Sequence, residues 1–426
     1  MMKKFIVLST IIDSSIPKLS LSLLMLGTLS LPSWGQVKTV EVVRDPIVEK
    51  EEVTLRVKVT DTADKPMIQL QDTDFNLEVV DIENNKTYND VTFNWKSPEE
   101  TIPPPAWIIV LLDMSGSMAK EDSRGTTKIE GAIKAIREFT EIAKDRGGNT
   151  QVSIVPFGDP GKNCAGYPID SNTLDNFSRV DDAKLQIFLD NLASLSPCAS
   201  TNLYEPLSKA VRFLGKKNDS RFYPLDSSGN PIEPQPRLSI ILLSDGYHNK
   251  PNEAQDFQSL NQLLKKNNQI IVHTLGYGLT AQQLGQKYQL GEPANRSHVN
   301  LKKVPEDEFV DEKRLQEIAK VTGGISEFSG DADAIAENLQ LFLNALLGEY
   351  EISYLQPNPD RGRPYQVSVL VQNIKSQPKK YRITIFGRSL PLKVRLIMLL
   401  IIIFILGVGG VIPFYIWGQQ LKRQVT

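Results

Sequence analysis

The spacing of apolar residues changes character along the chain. From Val37 to about Pro105 apolar and polar positions alternate. Val53-Thr54-Leu55-Arg56-Val57-Lys58-Val59-Thr60 keeps a strict period of two, and Phe75–Val80 and Val91–Trp95 follow it more loosely. Such alternation predicts strands with one buried face. Asp64-Lys65-Pro66 and Glu83-Asn84-Asn85-Lys86 supply turns, and Thr101-Ile102-Pro103-Pro104-Pro105 makes a stiff boundary.

Beyond Ala106, unbroken apolar runs replace the alternation. Trp107–Leu112, Val152–Phe157, Leu238–Leu243 and Ile270–Leu275 read as strands buried on both faces. Helical spacing lies between and after them. It is clearest in Lys128–Lys144, where Ile129, Ala132, Ile133, Ile136 and Phe139 share a face. Asp181–Leu195, Leu203–Leu214, Ala254–Asn267, Glu312–Val321 and Ala332–Leu347 follow the same rule, with a short strand at Ile325–Phe328. Strands alternating with helices predict an α/β fold with a doubly wound, mostly parallel sheet, Rossmann-like in layout, over residues 106–348.

Period two returns in Tyr350–Tyr354, Tyr365–Val371 and Tyr381–Phe386. Three strands are too few to bury a core alone, and the N-terminal strands share that deficit. One β-sandwich built from residues 36–105 and 349–390, with the α/β domain inserted between them, meets both needs. Two separate small β domains are the other arrangement.

Both ends of the chain carry membrane signals. Lys3, Lys4 and Lys18 precede the apolar run Leu19–Leu31, and Ser33-Trp34-Gly35 places small residues at a cleavage site. Residues 1–35 are therefore expected to be a signal peptide. Leu396–Trp417 is an uncharged stretch of roughly 22 residues, about 33 Å as a helix and enough to cross a bilayer. Flanking charges are nearly balanced, Lys393 and Arg395 before the span and Lys422 and Arg423 after it. The signal peptide decides orientation: a single-pass membrane protein with its body outside the cytoplasm and residues 418–426 as a cytoplasmic tail.

Composition adds exclusions. The 426 residues carry a formal net charge of −2, which gives no basic excess for nucleic acid. Two cysteines are too few for a disulfide scaffold or a thiolate metal site. No phosphate-binding GxxxxGK[ST] loop, GxSxG elbow or HExxH helix is present.

The first buried strand runs into Asp113-Met114-Ser115-Gly116-Ser117. Alternate residues of an extended turn point the same way, so Asp113, Ser115 and Ser117 converge at the carboxyl end of a central strand. Thr201 precedes the helix near Leu203, and Asp245 follows the strand Leu238–Leu243. Two carboxylates and three hydroxyls form a hard oxygen set suited to Mg²⁺ or Mn²⁺, and less to Ca²⁺.

This constellation resembles the metal ion-dependent adhesion site of von Willebrand factor type A domains. Asp113-x-Ser115-x-Ser117, Thr201 and Asp245 stand in the family's order, supported by Ser200-Thr201-Asn202, Ser244-Asp245-Gly246 and Ala319-Lys320-Val321-Thr322-Gly323-Gly324. The resemblance covers roughly Ala106 to Gly348. The flanking segments Asp64–Phe75 and Tyr350–Val371 resemble those of bacterial membrane proteins of the same family. It implies that Ser115, Ser117 and Thr201 lie closest to the metal, with Asp113 and Asp245 acting directly or through water. It implies no catalysis. A partner protein's Asp or Glu would complete the metal's coordination, and the alternative is an envelope scaffold in which metal serves stability. In such a fold the loops carrying Cys164 and Cys198 reach the metal face, where the two pair as a disulfide or stay as free thiols. His248 reads as an exposed loop residue and His273 as core. Loops 218–236 and 288–305 are long enough to carry function.

Overall fold

The computed structural model describes residues 36–425 except 90, 162, 233, 361 and 384–391. The expected signal peptide lies outside the described residues, as does the end of the strand expected at Tyr381–Phe386.

The N-terminal segment contributes β1 (Val37–Val42), β2 (Ile47–Glu49), β3 (Glu52–Asp61), β4 (Phe75–Asp81), β5 (Lys86–Tyr88) and β6 (Phe93–Lys96). The α/β segment follows as β7 (Ala106–Asp113), α1 (Lys128–Asp145), β8 (Thr150–Phe157), α2 (Ser171–Leu174), β9 (Ser178–Arg179), α3 (Ala183–Ala193), α4 (Tyr204–Leu214), β10 (Arg237–Ser244), α5 (Glu253–Lys266) and β11 (Ile270–Tyr277). It ends with α6 (Ala281–Lys287), α7 (Arg296–Asn300), α8 (Glu312–Thr322), β12 (Ser326–Ser329) and α9 (Ala332–Leu347). Then come β13 (Tyr350–Leu355), β14 (Pro364–Val371), β15 (Ile374–Lys375), β16 (Lys379–Arg382), α10 (Leu392–Leu406) and α11 (Ile412–Val425).

The central sheet runs β12-β11-β10-β7-β8-β9 and is parallel except for the β8–β9 edge. Its strands are buried on both faces, which explains their unbroken apolar runs. Ile108, Val110 and Leu112 of β7 pack with α1, α3 and α9, while Ile109 and Leu111 face the core of α4, α5 and α8. Helices on both faces make the sheet doubly wound. The chain steps from β7 to β8 on one side and reaches β10 on the other. The gap beyond the carboxyl ends of β7 and β10 is thus the topological switch point, where open sheets of this kind place ligands.

The two flanking segments share their sheets. In one, β13 pairs antiparallel with both β3 and β6. In the other, β14 pairs with β4, β15 and β16. Their inward residues form one core, with Val53, Leu55, Val57, Phe75, Leu77 and Val79 meeting Tyr350, Ile352, Tyr365 and Val367. The buried Tyr350 hydroxyl donates to Met67 O and accepts from Leu70 N, each at 2.9 Å. Polar contacts tie this sandwich to the α/β domain. Lys58 donates to Ala345 O in the last turn of α9, Lys65 meets Glu327 at 2.7 Å, and Arg237 pairs with the buried Glu349.

His273 is core. Its ring stacks on Phe342, its Nδ1 accepts from Ile325 N, and burial pushes its pKa down to about 3. Leu396–Arg423 forms a continuous helical stretch, long and apolar enough to cross a membrane, with a π-helical turn at Gly407–Val411. The helix continues through Val425, so most of the expected tail extends it.

Candidate functional site

The site is assembled where β7 and β10 end. β7 delivers Asp113, and a 3-10 turn at Gly116–Ala119 folds the following loop back. Two fully buried methionines, Met114 and Met118, pin this loop into the core on either side of the serines. Its backbone is fixed as well. Met114 N donates to Phe157 O, Cys198 N and Ala199 N donate to Met114 O, and Gly116 N donates to Ala199 O. The loops bearing Asp113, Phe157 and Thr201 thus form one rigid surface.

The side chains then interlock. Asp113 is fully buried, its Oδ1 accepting from Ser115 N at 2.8 Å and its Oδ2 from the Ser244 hydroxyl. Asp245 is fully buried too. Its Oδ1 accepts from Ser117 Oγ at 2.8 Å and Ser115 Oγ at 3.3 Å, and the two hydroxyls lie 3.1 Å apart. Its Oδ2 accepts from Lys128 Nζ at 2.7 Å. Thr201 is buried against Gly246, where an added Cβ would come within 2.9 Å of Thr201 Oγ1. Glycine after Asp245 is what lets this hydroxyl approach the carboxylate loop. Burial, then the like charge of Asp245, raises the Asp113 carboxyl to about 7. Two acids crowded this way favour any arrangement that brings positive charge between them.

Asp113, Ser115, Ser117 and Asp245 are therefore drawn into one network, with Thr201 beside it. This oxygen set, free of nitrogen and sulfur, fits a hard divalent ion. Among the described residues no three His, Cys, Asp or Glu side chains gather as a metal cluster, so an ion here would depend on the hydroxyls.

Sequence reasoning gave no role to two members, Ser244 and Lys128. Ser244 flanks Asp245 and bonds Asp113 across the sheet. Lys128 is the first residue of α1, where the helix dipole disfavours a cation. His248 is corrected: it is 2% exposed, not an open loop residue. Its ring stacks on Tyr204 with centroids 4.0 Å apart, and burial lowers its pKa.

Cys164 and Cys198 are joined by a disulfide spanning 34 residues of sequence. The bridge clamps the 158–167 loop to the loop bearing Thr201, and Asp159 and Ser200 exchange backbone hydrogen bonds beside it at 2.9 Å. Closing a loop of that length stabilises by about 3–4 kcal/mol on the chain-entropy model. Reduction, or Cys164→Ser with Cys198→Ser, is expected to lower the unfolding free energy by roughly that amount. It should also raise hydrogen exchange at residues 198–202; denaturant titration and exchange mass spectrometry read the two effects.

Residues 279–309, part of which reads as plain loop in the sequence, form a small lobe. Leu284, Ala294, Val299, Val304 and Phe309 make its core, packed with Tyr247. The lobe grips the rim of the site: Tyr247 donates to Glu306 at 2.9 Å, and Lys120 pairs with Asp307.

Residues 108–248 match the family model described as von Willebrand factor type A domain. The chain is 30% identical over 155 residues to YwmC, an uncharacterized protein of Bacillus subtilis (strain 168), a match spanning 36% of this chain and 60% of that one. Among solved structures, the pilus adhesin SpaC of Lactobacillus rhamnosus GG is 12% identical with a TM-score of 0.36, covering 81% of this chain and 50% of SpaC. The mussel byssus proximal thread matrix protein 1, with a zinc-occupied MIDAS motif, is 14% identical with a TM-score of 0.31, covering 57% of this chain and 48% of that one.

Proposed function

We propose that this chain is a membrane-anchored, extracytoplasmic binding module. Its α/β domain would hold Mg²⁺ or Mn²⁺ through Ser115, Ser117 and Thr201, with Asp113 and Asp245 acting directly or through water. The ion would supply an open coordination position for an Asp or Glu carboxylate of a partner protein. One observation carries this reading: two buried carboxylates and two serine hydroxyls meet in a single network at the topological switch point. The protein's own residues do the rest. Met114 and Met118 hold the loop rigid, Ser244 orients Asp113, and Gly246 gives Thr201 room.

Binding rather than catalysis is favoured by where the histidines stand. His248 is stacked on Tyr204, His273 lies in the core and His298 meets Glu292, so each of the three is committed elsewhere. None of the three histidines bonds the carboxylates or serines of the network. The apolar helix from Leu396 supports the anchor.

The test is capture of envelope proteins by the full chain in detergent micelles, with Mg²⁺ or Mn²⁺ and then with chelator. Retention should require metal and should fail when partner carboxylates are blocked by carbodiimide coupling. Capture indifferent to chelator would sink the adhesion reading. Unfolding of the α/β domain on chelation would instead support the scaffold alternative, in which metal serves stability.

A further inference from the structure

We infer that Lys128 is a tethered counter-charge that sets how tightly the centre takes a divalent ion and makes that binding depend on a carboxylate co-ligand. This rests on the metal-binding reading above and adds to it a residue outside the Asp-x-Ser-x-Ser pattern.

The placement of Lys128 is specific. Thr127 caps α1, with its side chain accepting from Glu130 N, so the backbone of the next residue is fixed. The Lys128 side chain is only 12% exposed and ends on the fully buried Asp245. Its ammonium occupies Oδ2 at 2.7 Å, while both serine hydroxyls address the other oxygen, Oδ1. Lysine and serines therefore address different oxygens of one carboxylate. Lys128 need not leave when the serine side is filled.

Charge accounting gives the consequence. Asp113 and Asp245 together carry two negative charges when ionised, and Lys128 cancels one. A divalent ion then leaves the buried centre with one excess positive charge. Excess charge is costly beside two carboxylates that are themselves fully buried. A monoanionic carboxylate from a partner restores neutrality. With Lys128 in place, metal alone binds weakly and metal with a carboxylate binds well. Without Lys128, metal alone neutralises the site and a carboxylate gains little. The lysine also keeps the metal-free domain folded by giving Asp245 a partner.

The experiment is calorimetric titration of Mn²⁺ into the full chain in detergent micelles, with and without acetate. It compares wild type, Lys128→Met, Lys128→Gln and Lys128→Arg. Thermal unfolding of the chelated proteins is the second readout. Both neutral variants are expected to bind Mn²⁺ alone at least about tenfold more tightly than wild type. They should also lose the acetate enhancement and unfold at lower temperature when chelated. Lys128→Arg should behave as wild type. If Lys128→Met does not fold without metal, Lys128→Gln, which keeps a donor, carries the comparison. Equal or weaker Mn²⁺ affinity in the neutral variants would overturn the role of Lys128 and leave the metal reading standing. No Mn²⁺ binding by any of the proteins, even with acetate, would remove the metal reading and this inference with it.

Discussion

Replacing Asp113 by alanine is expected to weaken Mg²⁺ and Mn²⁺ binding at least a hundredfold while leaving the metal-free domain folded. The proposed centre has only two charged ligands, and removing one partner of a buried charge interaction costs about 3 kcal/mol or more, which is a hundredfold in affinity. The effect on the metal-free protein has two opposing parts. Ser115 N and the Ser244 hydroxyl lose their acceptor, at a cost of about 1–3 kcal/mol each where water cannot replace it. Against this, the variant no longer buries the Asp113 carboxyl, whose ionisation burial and then the like charge of Asp245 make unfavourable. The alanine also leaves space in which water can meet the freed donors. Chelated wild type and variant should therefore melt close together. Wild type should gain about 2.7 kcal/mol at a metal concentration a hundredfold above its Kd, and the variant at most about 0.4 kcal/mol. Differential scanning calorimetry with and without metal separates these cases. A variant that melts like wild type in both conditions would show that Asp113 holds no ion. A variant unfolded in both would make Asp113 a structural residue of the switch point.

What was legible in the sequence depended on how local the determining physics is. The α/β sheet could be read because burial on both faces writes itself into consecutive residues, as in Ile108–Leu112. The grouping of Asp113, Ser115 and Ser117 was legible for the same reason, since three side chains on one extended turn share a direction. Lys128 was not, because its contact depends on a long side chain reaching from α1 to the loop after β10, more than a hundred residues onward. His248 was misjudged because a polar residue in a polar loop looks exposed. Its burial comes from the face of Tyr204, which no local pattern reveals. The lobe at 279–309 was also hidden. Leu284, Val299, Val304 and Phe309 are scattered without a period, and they become a core only when short helices fold onto one another.

Ending the chain after Gly348 should unfold the N-terminal strands, although none of their residues is removed. The reason lies in the pairing. β13 joins β3 to β6, so its loss leaves β6 without the strand that holds it and exposes the edge of β3. β14 is the antiparallel partner of β4 over seven residues, from Tyr365↔Asp81 to Val371↔Phe75. The shared core would lose Tyr350, Ile352, Tyr354, Tyr365, Val367, Val369 and Val371, all buried. At about 1.5–3 kcal/mol for each large apolar side chain, the loss equals or exceeds the whole stability of an ordinary domain. The α/β domain keeps both of its own cores and loses only edge contacts such as Arg237 with Glu349. Hydrogen exchange should therefore show Glu52–Asp61 and Phe75–Asp81 unprotected in the shortened chain, with Ala106–Asp113 and Arg237–Ser244 still slow. In the full chain, Ile352→Asp should reproduce the same pattern in weaker form, because an unpaired carboxylate would sit where the two sheets meet. Protection retained in Glu52–Asp61 after truncation would mean that the N-terminal strands fold by themselves. The α/β domain would then hang between two independent β units, rather than being inserted into one sandwich that couples it mechanically to the segment leading into the apolar C-terminal helix.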